Sequence, residues 1–287
     1  MNTSRVFMLA SDHRWQWQEW CDKNDVSHER ISEVKRLVLE AFLQARARSN
    51  QVRDYGALLL DNQYSAEAMA RAMALGIPVG APVEKAGVFP LEWEREPFHA
   101  VSRGNSFVKV LVRYRPEWPQ DDREEQWNKL LDLQAWCRAE KIPLLVEIII
   151  MKAGEDEQDF ERRGRPAMIA GLIREAYARG LVPAIWKIEG TTSRDGAVAI
   201  DAAIRERDEP RQLILGKGAG PEAIASWFDA AAGLESTAGF AIGRSVFMEP
   251  GSAFLKGDLS AGDAISEIAR RYLGFVDGWT RRERGAP

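Results

Sequence analysis

The stretch PAIWKIEG, residues 183–190, sets one amine-bearing residue, Lys187, inside a short run of branched and aromatic side chains. Such a run reads as a buried strand, and lysine is among the residues least often buried without a partner. Desolvation disfavours the charged form of an amine, and a second cation nearby pushes the same way. FVKVLVRY supplies that cation as Lys109, in another apolar run. A free amine so placed can attack a ketone or aldehyde and form a Schiff base, an electron sink for making or breaking a C–C bond. The proton transfers need a carboxyl group, and Glu147 in LLVEIIIM and Glu189, two residues after Lys187, are the candidates. Glu189 also offers the plainer account of Lys187, a simple ion pair.

Two glycine-bearing stretches point to a different task. LGKGAGPEAI places Gly216, Gly218 and Gly220 ahead of Pro221, and proline suits the first turn of a helix. GFAIGRSVF ends an apolar run with Gly243 and Arg244. Backbone N–H groups at such turns can hold a phosphate, with Arg244 supplying charge. The spacing is not the dinucleotide pattern G-x-G-x-x-G, because Pro221 stands where its last glycine belongs. The histidines His13, His28 and His99 are scattered without metal-ligand spacing, so no metal and no other cofactor is expected.

These residues need a scaffold that gathers them. Short apolar runs recur at Val6 to Ala10, Ala57 to Leu60, Ile77 to Ala81, Phe107 to Val112, Pro143 to Ile150, Pro183 to Ile188, Gln212 to Leu215 and Gly239 to Ile242. Between them lie segments of helical periodicity, such as Ile31, Val34, Val38 and Phe42, or Ile265, Ile268, Tyr272 and Val276. Further helices are expected near 65–75, 121–139, 166–179, 194–207, 221–233 and 261–279, and a short or irregular one in the proline-bearing interval 85–105. Apolar strands alternating with amphipathic helices predict an α/β fold with a parallel sheet. Eight such units predict a single (β/α)8 TIM barrel spanning residues 1–287 as one domain.

In that fold the chemistry sits at the carboxyl ends of the strands. Asp12 falls at the end of strand 1, Asp61 at strand 2, Glu84 and Lys85 after strand 3, and Lys109 and Arg113 on strand 4. Glu147 lies on strand 5, Lys187 and Glu189 on strand 6, and Arg244 after strand 8. Alternation puts Lys109 with Arg113 on one face, Lys187 with Glu189 on another, and Asp12 with Arg14 if the first strand extends that far. Asp61 is equally well explained as a helix cap before Ser65. So many charges at one end must pair closely or bind a ligand. Trp15, Trp17 and Trp20 in DHRWQWQEW fit a cover over the site, a subunit contact or ordinary helix packing.

The chain of 287 residues has a net charge of −4 with acids and bases interspersed. No basic stripe suits nucleic acid or an anionic membrane surface, and no apolar run is long enough to span a bilayer. Cys21 and Cys137 imply no disulfide framework, and the reading is a cytoplasmic protein.

MLASDHR, FVKVLVRY, LLVEI, WKIEG, LGKGAG and GFAIGRSVF together resemble the class I aldolases of the tagatose-1,6-bisphosphate aldolase kind. The order of motifs, from Phe7 to about Trp279, is closer still to the barrel domain at the C-terminus of some bacterial 5-dehydro-2-deoxygluconokinases of inositol catabolism. That domain is assigned as 5-dehydro-2-deoxyphosphogluconate aldolase. The resemblance implies that Lys187 is the Schiff-base lysine, Lys109 and Glu147 its strand-4 and strand-5 companions, Asp12 the strand-1 aspartate, and Gly243 with Arg244 the phosphate pair. It also implies a phosphorylated keto sugar or keto sugar acid as partner, with Arg14 or Arg113 on a carboxylate, and a homo-oligomer is compatible with it. Gly190 begins GTTSRDG where the family often has proline, and no kinase domain is expected within residues 1–287. A non-catalytic sugar-phosphate-binding barrel that regulates a partner stays open, as does a metal-dependent lyase or isomerase on the same scaffold.

Overall fold

Wherever branched and aromatic residues run unbroken, the backbone is a strand buried on both faces, because each face meets a different apolar layer. In the computed structural model, which describes residues 3–98 and 104–285, eight parallel strands close into a barrel in sequence order. They are β1 (Val6–Ser11), β2 (Gly56–Leu60), β3 (Val79–Pro82), β4 (Phe107–Tyr114), β5 (Leu144–Ile150), β6 (Ile185–Glu189), β7 (Arg211–Leu215) and β8 (Thr237–Ile242). The α/β barrel expected from the strand pattern is therefore the fold observed.

Alternation along the strands divides the core. Val6, Met8, Leu59, Phe107, Leu145, Ile185 and Leu213 fill the barrel interior. Their neighbours, such as Phe7, Leu9, Val146, Trp186 and Phe240, face the helices. Above the interior apolar layer, the next inward positions are Asp12, Lys109, Glu147 and Lys187. The periodicity of the chain thus stacks a charged layer directly on an apolar floor.

The helices are α1 (Trp15–Asn24), α2 (Ile31–Arg48), α3 (Asn50–Tyr55), α4 (Ala66–Ala74), α5 (Gln120–Ala139), the short turn α6 (Glu157–Asp159), α7 (Arg165–Ala178), α8 (Arg194–Ile204), α9 (Pro221–Ala231), α10 (Arg244–Lys256) and α11 (Ala261–Glu283). A π-helical turn, Phe160–Gly164, joins α6 to α7. Two differences from the sequence expectation stand out. Residues 85–98 contain no α-helix; prolines at 90 and 97 deny the backbone two donors there, and Glu84 instead bridges to Trp93. The rest of the expected 85–105 interval includes residues 99–103, outside the described residues. Conversely, α10 forms directly after β8 although Pro250 lies inside it.

Cys21 and Cys137 are free and buried, and burial pushes the Cys137 thiol up to about 12. Trp17 stacks on Phe247 in the core and meets Trp20 edge to face, whereas Trp15 is exposed. No helix among the described residues is long and apolar enough to cross a membrane.

Candidate active site

At the carboxyl end of the barrel lies a pocket of about 250 Å³, a size for a small metabolite. Its wall includes Asp12, Arg14, Lys109, Arg113, Glu147, Lys187, Glu189, Gly216, Gly218, Gly243 and Arg244, but not Asp61, Lys85 or Gly220. Parallel register brings the floor together. Glu147 on β5 lies directly opposite Lys187 on β6, and their side chains pair with Lys187 Nζ 2.9 Å from Glu147 Oε1. The other carboxylate oxygen of Glu147 is 3.0 Å from Lys109 Nζ. One buried carboxylate is thus shared between two ammonium groups.

Lys109 is the hub of this floor. Its Nζ also sits 3.1 Å from Asp12 Oδ2 and 2.7 Å from Glu84 Oε1. Burial disfavours the lysine's charge, but Glu147, Glu84 and Asp12 outweigh it and hold Lys109 well above the ordinary lysine range. For Asp12, burial works to raise the pKa, and the Lys109 and Lys187 ammoniums reverse this, keeping the carboxyl well below the usual range. The same contest lowers Glu147. At Glu84 burial wins over Lys109 and Arg14, and the pKa rises. Lys109 was expected to act on Lys187 as a neighbouring cation, but it stands inside a cage of three carboxylates.

Glu189 shares the inward face with Lys187, yet it is turned to other partners. Lys217 Nζ lies 2.8 Å and Arg165 Nη1 3.7 Å from Glu189 Oε1, and the Ile150 N–H donates to its other oxygen. The plain ion pair with Lys187 is therefore made by Glu147 rather than Glu189. Arg14 is engaged at the rim, 2.6 Å from Glu94 and donating to the Glu84 carbonyl. Arg113 also lines the pocket, and its guanidinium has no ion pair among the described residues.

The opposite rim is built from the turns after β7 and β8. Gly218 has φ +79°, and a Cβ there would come within 3.2 Å of the Arg244 guanidinium. Only glycine combines that left-handed backbone with that closeness. Arg244 opens α10 and donates to the Lys217 carbonyl at 2.7 Å, while burial pulls its pKa down. Gly243 lets the chain pass β1: a Cβ there would lie 1.9 Å from the Ala10 carbonyl oxygen.

Three residues of the site were not selected from the sequence. Glu84 had been placed after strand 3 without a role, although counting by twos from Gly80 through Pro82 sends it inward beside Lys109. His13 lines the pocket next to Asp12. Lys35, on α2, is fully buried and pairs with Asp61 at 2.9 Å. Its ammonium also donates to the Ser11 and His13 carbonyls, at 2.5 and 2.9 Å, clamping the chain on either side of Asp12. Asp61 in turn accepts from the Gln63 and Tyr64 N–H groups and from the Ser65 hydroxyl, so it fixes the turn before α4. Among the described residues, no group of three or more His, Cys, Asp or Glu side chains could hold a metal ion.

Solved structures share this architecture. A fructose-bisphosphate aldolase from Plasmodium falciparum superposes with a TM-score of 0.70 at 11% identity, covering 99% of this chain and 93% of that one. A Schiff-base-forming fructose-1,6-bisphosphate aldolase gives 0.58 at 15% identity over 95% of this chain and 94% of that one. An archaeal fructose-1,6-bisphosphate aldolase, whose catalytic lysine carries the carbinolamine intermediate, gives 0.55 at 15% identity over 94% and 95%. At these identities the likeness is one of fold. No curated protein matches the sequence. The family model that does match spans residues 1–283, and by it the chain belongs to the family described as "Uncharacterized protein conserved in bacteria (DUF2090)".

Proposed function

We propose that the chain is a class I aldolase acting on a phosphorylated keto sugar or keto sugar acid. The observation that carries this reading is the buried Lys187–Glu147–Lys109 array on the pocket floor, facing a rim formed by Gly216, Gly218, Gly243 and Arg244. An amine next to a carboxylate that can take its proton is the arrangement a Schiff-base nucleophile requires. Its strand-6 position agrees with the aldolase resemblance of the sequence.

In this reading Glu147 accepts a proton from Lys187, and the amine adds to the substrate ketone to give a carbinolamine. Glu147, now protonated, returns the proton to the departing hydroxyl, and water leaves to form the iminium. When the C–C bond one carbon further breaks, its electron pair flows into the iminium and the adjacent hydroxyl loses its proton to become the aldehyde. Hydrolysis of the resulting enamine-derived iminium releases the ketone product and regenerates Lys187. Asp12, ionised beside Lys109, positions a substrate hydroxyl. Arg244 and the glycine turns hold the phosphate, and Arg113 receives a carboxylate, Arg14 being engaged with Glu94. Glu189, held by Lys217 and Arg165, is the poorer proton carrier of the two acids. A 5-keto-2-deoxy six-carbon acid bearing a 6-phosphate satisfies both ends of the pocket and yields dihydroxyacetone phosphate and malonate semialdehyde.

The test is to incubate the protein with dihydroxyacetone phosphate, reduce with borohydride and map the adduct by mass spectrometry. The expected adduct is on Lys187, and Lys187→Met loses both adduct and cleavage. Full cleavage activity in Lys187→Met, or no adduct with any keto phosphate, would sink the proposal.

A further inference from the structure

Among the described residues His13 carries the one imidazole in the pocket wall, and nothing in the mechanism above uses it. Its ring packs edge-on to Phe247 of α10, with centroids 5.7 Å apart. It fits there because Gly243 has no side chain; a Cβ at that position would approach the ring to 3.0 Å. The Lys35 ammonium holds the His13 carbonyl, so the residue is fixed from its backbone outward. Nδ1 is buried without a hydrogen-bond partner and points toward Asp12 Oδ1, 3.8 Å away, too far for a hydrogen bond. The side chain nonetheless keeps 18% exposure, so it meets the pocket through its other edge.

The charge around the ring decides its form. Burial is the dominant cost of protonation; Asp12 opposes it, while Arg244, Lys187 and Lys35 add to it, and the pKa falls to about 3. The imidazole is thus neutral, with one donor and one acceptor nitrogen. Asp12 on the Nδ1 side favours the proton there, which leaves Nε2 as the acceptor. The other polar groups of this quarter, Arg244 and Lys187, are donors, and the floor carboxylates are occupied by Lys109 and Lys187. A phosphate dianion only accepts hydrogen bonds and gains nothing from such an acceptor. A neutral hydroxyl does.

We propose that His13 is a substrate-contacting residue whose Nε2 accepts a hydrogen bond from the hydroxyl next to the carbonyl carbon of a bound keto phosphate. This rests on the reading of the pocket as a keto-phosphate site. It makes His13 the residue that distinguishes hydroxylated from deoxygenated ketones at that carbon, with Asp12 setting its tautomer and Gly243 giving it room.

Two ligands that differ only in this hydroxyl test it: dihydroxyacetone phosphate and hydroxyacetone phosphate. Their affinities for the wild type, His13→Ala and His13→Gln are measured by calorimetric titration, with borohydride trapping run in parallel. One neutral hydrogen bond corresponds to roughly a three- to tenfold preference. The wild type is expected to prefer dihydroxyacetone phosphate by that factor. His13→Ala should lose the preference while keeping its affinity for hydroxyacetone phosphate within about twofold, which also reports an intact site. His13→Gln, which can place an amide oxygen near the Nε2 position, should recover part of it and serves alone if the alanine variant does not fold. Equal affinity of the wild type for the two ketones overturns the assignment, as does a preference that survives in His13→Ala or one of which His13→Gln recovers no part. Absence of a Lys187 adduct in the wild type bears instead on the Schiff-base reading, because the affinity ratio needs no covalent step.

Discussion

Replacing Lys109 with methionine removes one ammonium from three buried carboxylates while nearly conserving volume. Its contacts to Asp12, Glu84 and Glu147 are 3.1, 2.7 and 3.0 Å, and the side chain is 3% exposed. Removing one partner of a buried ion pair costs about 3–5 kcal/mol, because the other charge stays buried and uncompensated. Here Lys187 still faces Glu147 and Arg14 lies near Glu84, which places the expected loss near the lower end, about 3 kcal/mol. For a chain of this size that corresponds to a fall in Tm of roughly 5 °C at neutral pH.

The pH dependence sharpens this. In the wild type the depressed Asp12 and Glu147 contribute stability that is present above the unfolded carboxylate pKa, about 4, and lost as pH falls through their lower folded values. The raised pKa of Lys109 contributes stability that is complete below the ordinary lysine value and lost only as pH rises through the folded one. Without Lys109 the three carboxyl groups rise and take up protons on mild acidification, relieving the uncompensated charge. The wild-type advantage should therefore shrink between pH 7 and pH 5. Thermal melts followed by circular dichroism at both pH values measure it. An unchanged Tm at pH 7, or a gap that stays constant or widens at pH 5, would refute the hub role of Lys109.

Arg244→Ala should raise KM for a keto phosphate roughly ten- to hundredfold, the range for a lost charged hydrogen bond. The phosphate-free ketone should react unchanged, and steady-state kinetics on the pair decides it. Gly243→Ala drives a Cβ to 1.9 Å from a backbone carbonyl that cannot swing aside. Its melting temperature should drop by more than that of Gly220→Ala, where a Cβ meets nothing within 4 Å; equal melting of the two would contradict the packing described.

The sequence disclosed what periodicity encodes. Lys109 and Arg113, or Lys187 and Glu189, are two apart on strands, so their common face follows from alternation alone. The eight strands and most helices follow from runs and stripes in the same way. Pairing was less accessible: Glu189 is nearer to Lys187 along the chain, but Glu147 reaches it because register aligns β5 with β6. His13 lies beyond the last residue of β1, where alternation no longer fixes a direction. Lys35 reads as an ordinary polar residue of an amphipathic helix, and only the end of β1 beneath it turns it into a buried clamp. The helix α10 was hidden by Pro250 and Gly251, whose intrinsic preferences argue against it and are overridden by packing against Trp17 and Val34.

The sharing of Glu147 between two lysines has a bearing on what the pocket must do when a ketone arrives. In the proposed reaction the ammonium of Lys187 is exchanged for an iminium whose positive charge sits on the same nitrogen. The carboxylate 2.9 Å away therefore solvates the intermediate with the dipoles already oriented for the resting enzyme. Little reorganisation is left to be done at the moment the covalent bond forms. An alkylated cation is installed in a socket already shaped for its parent.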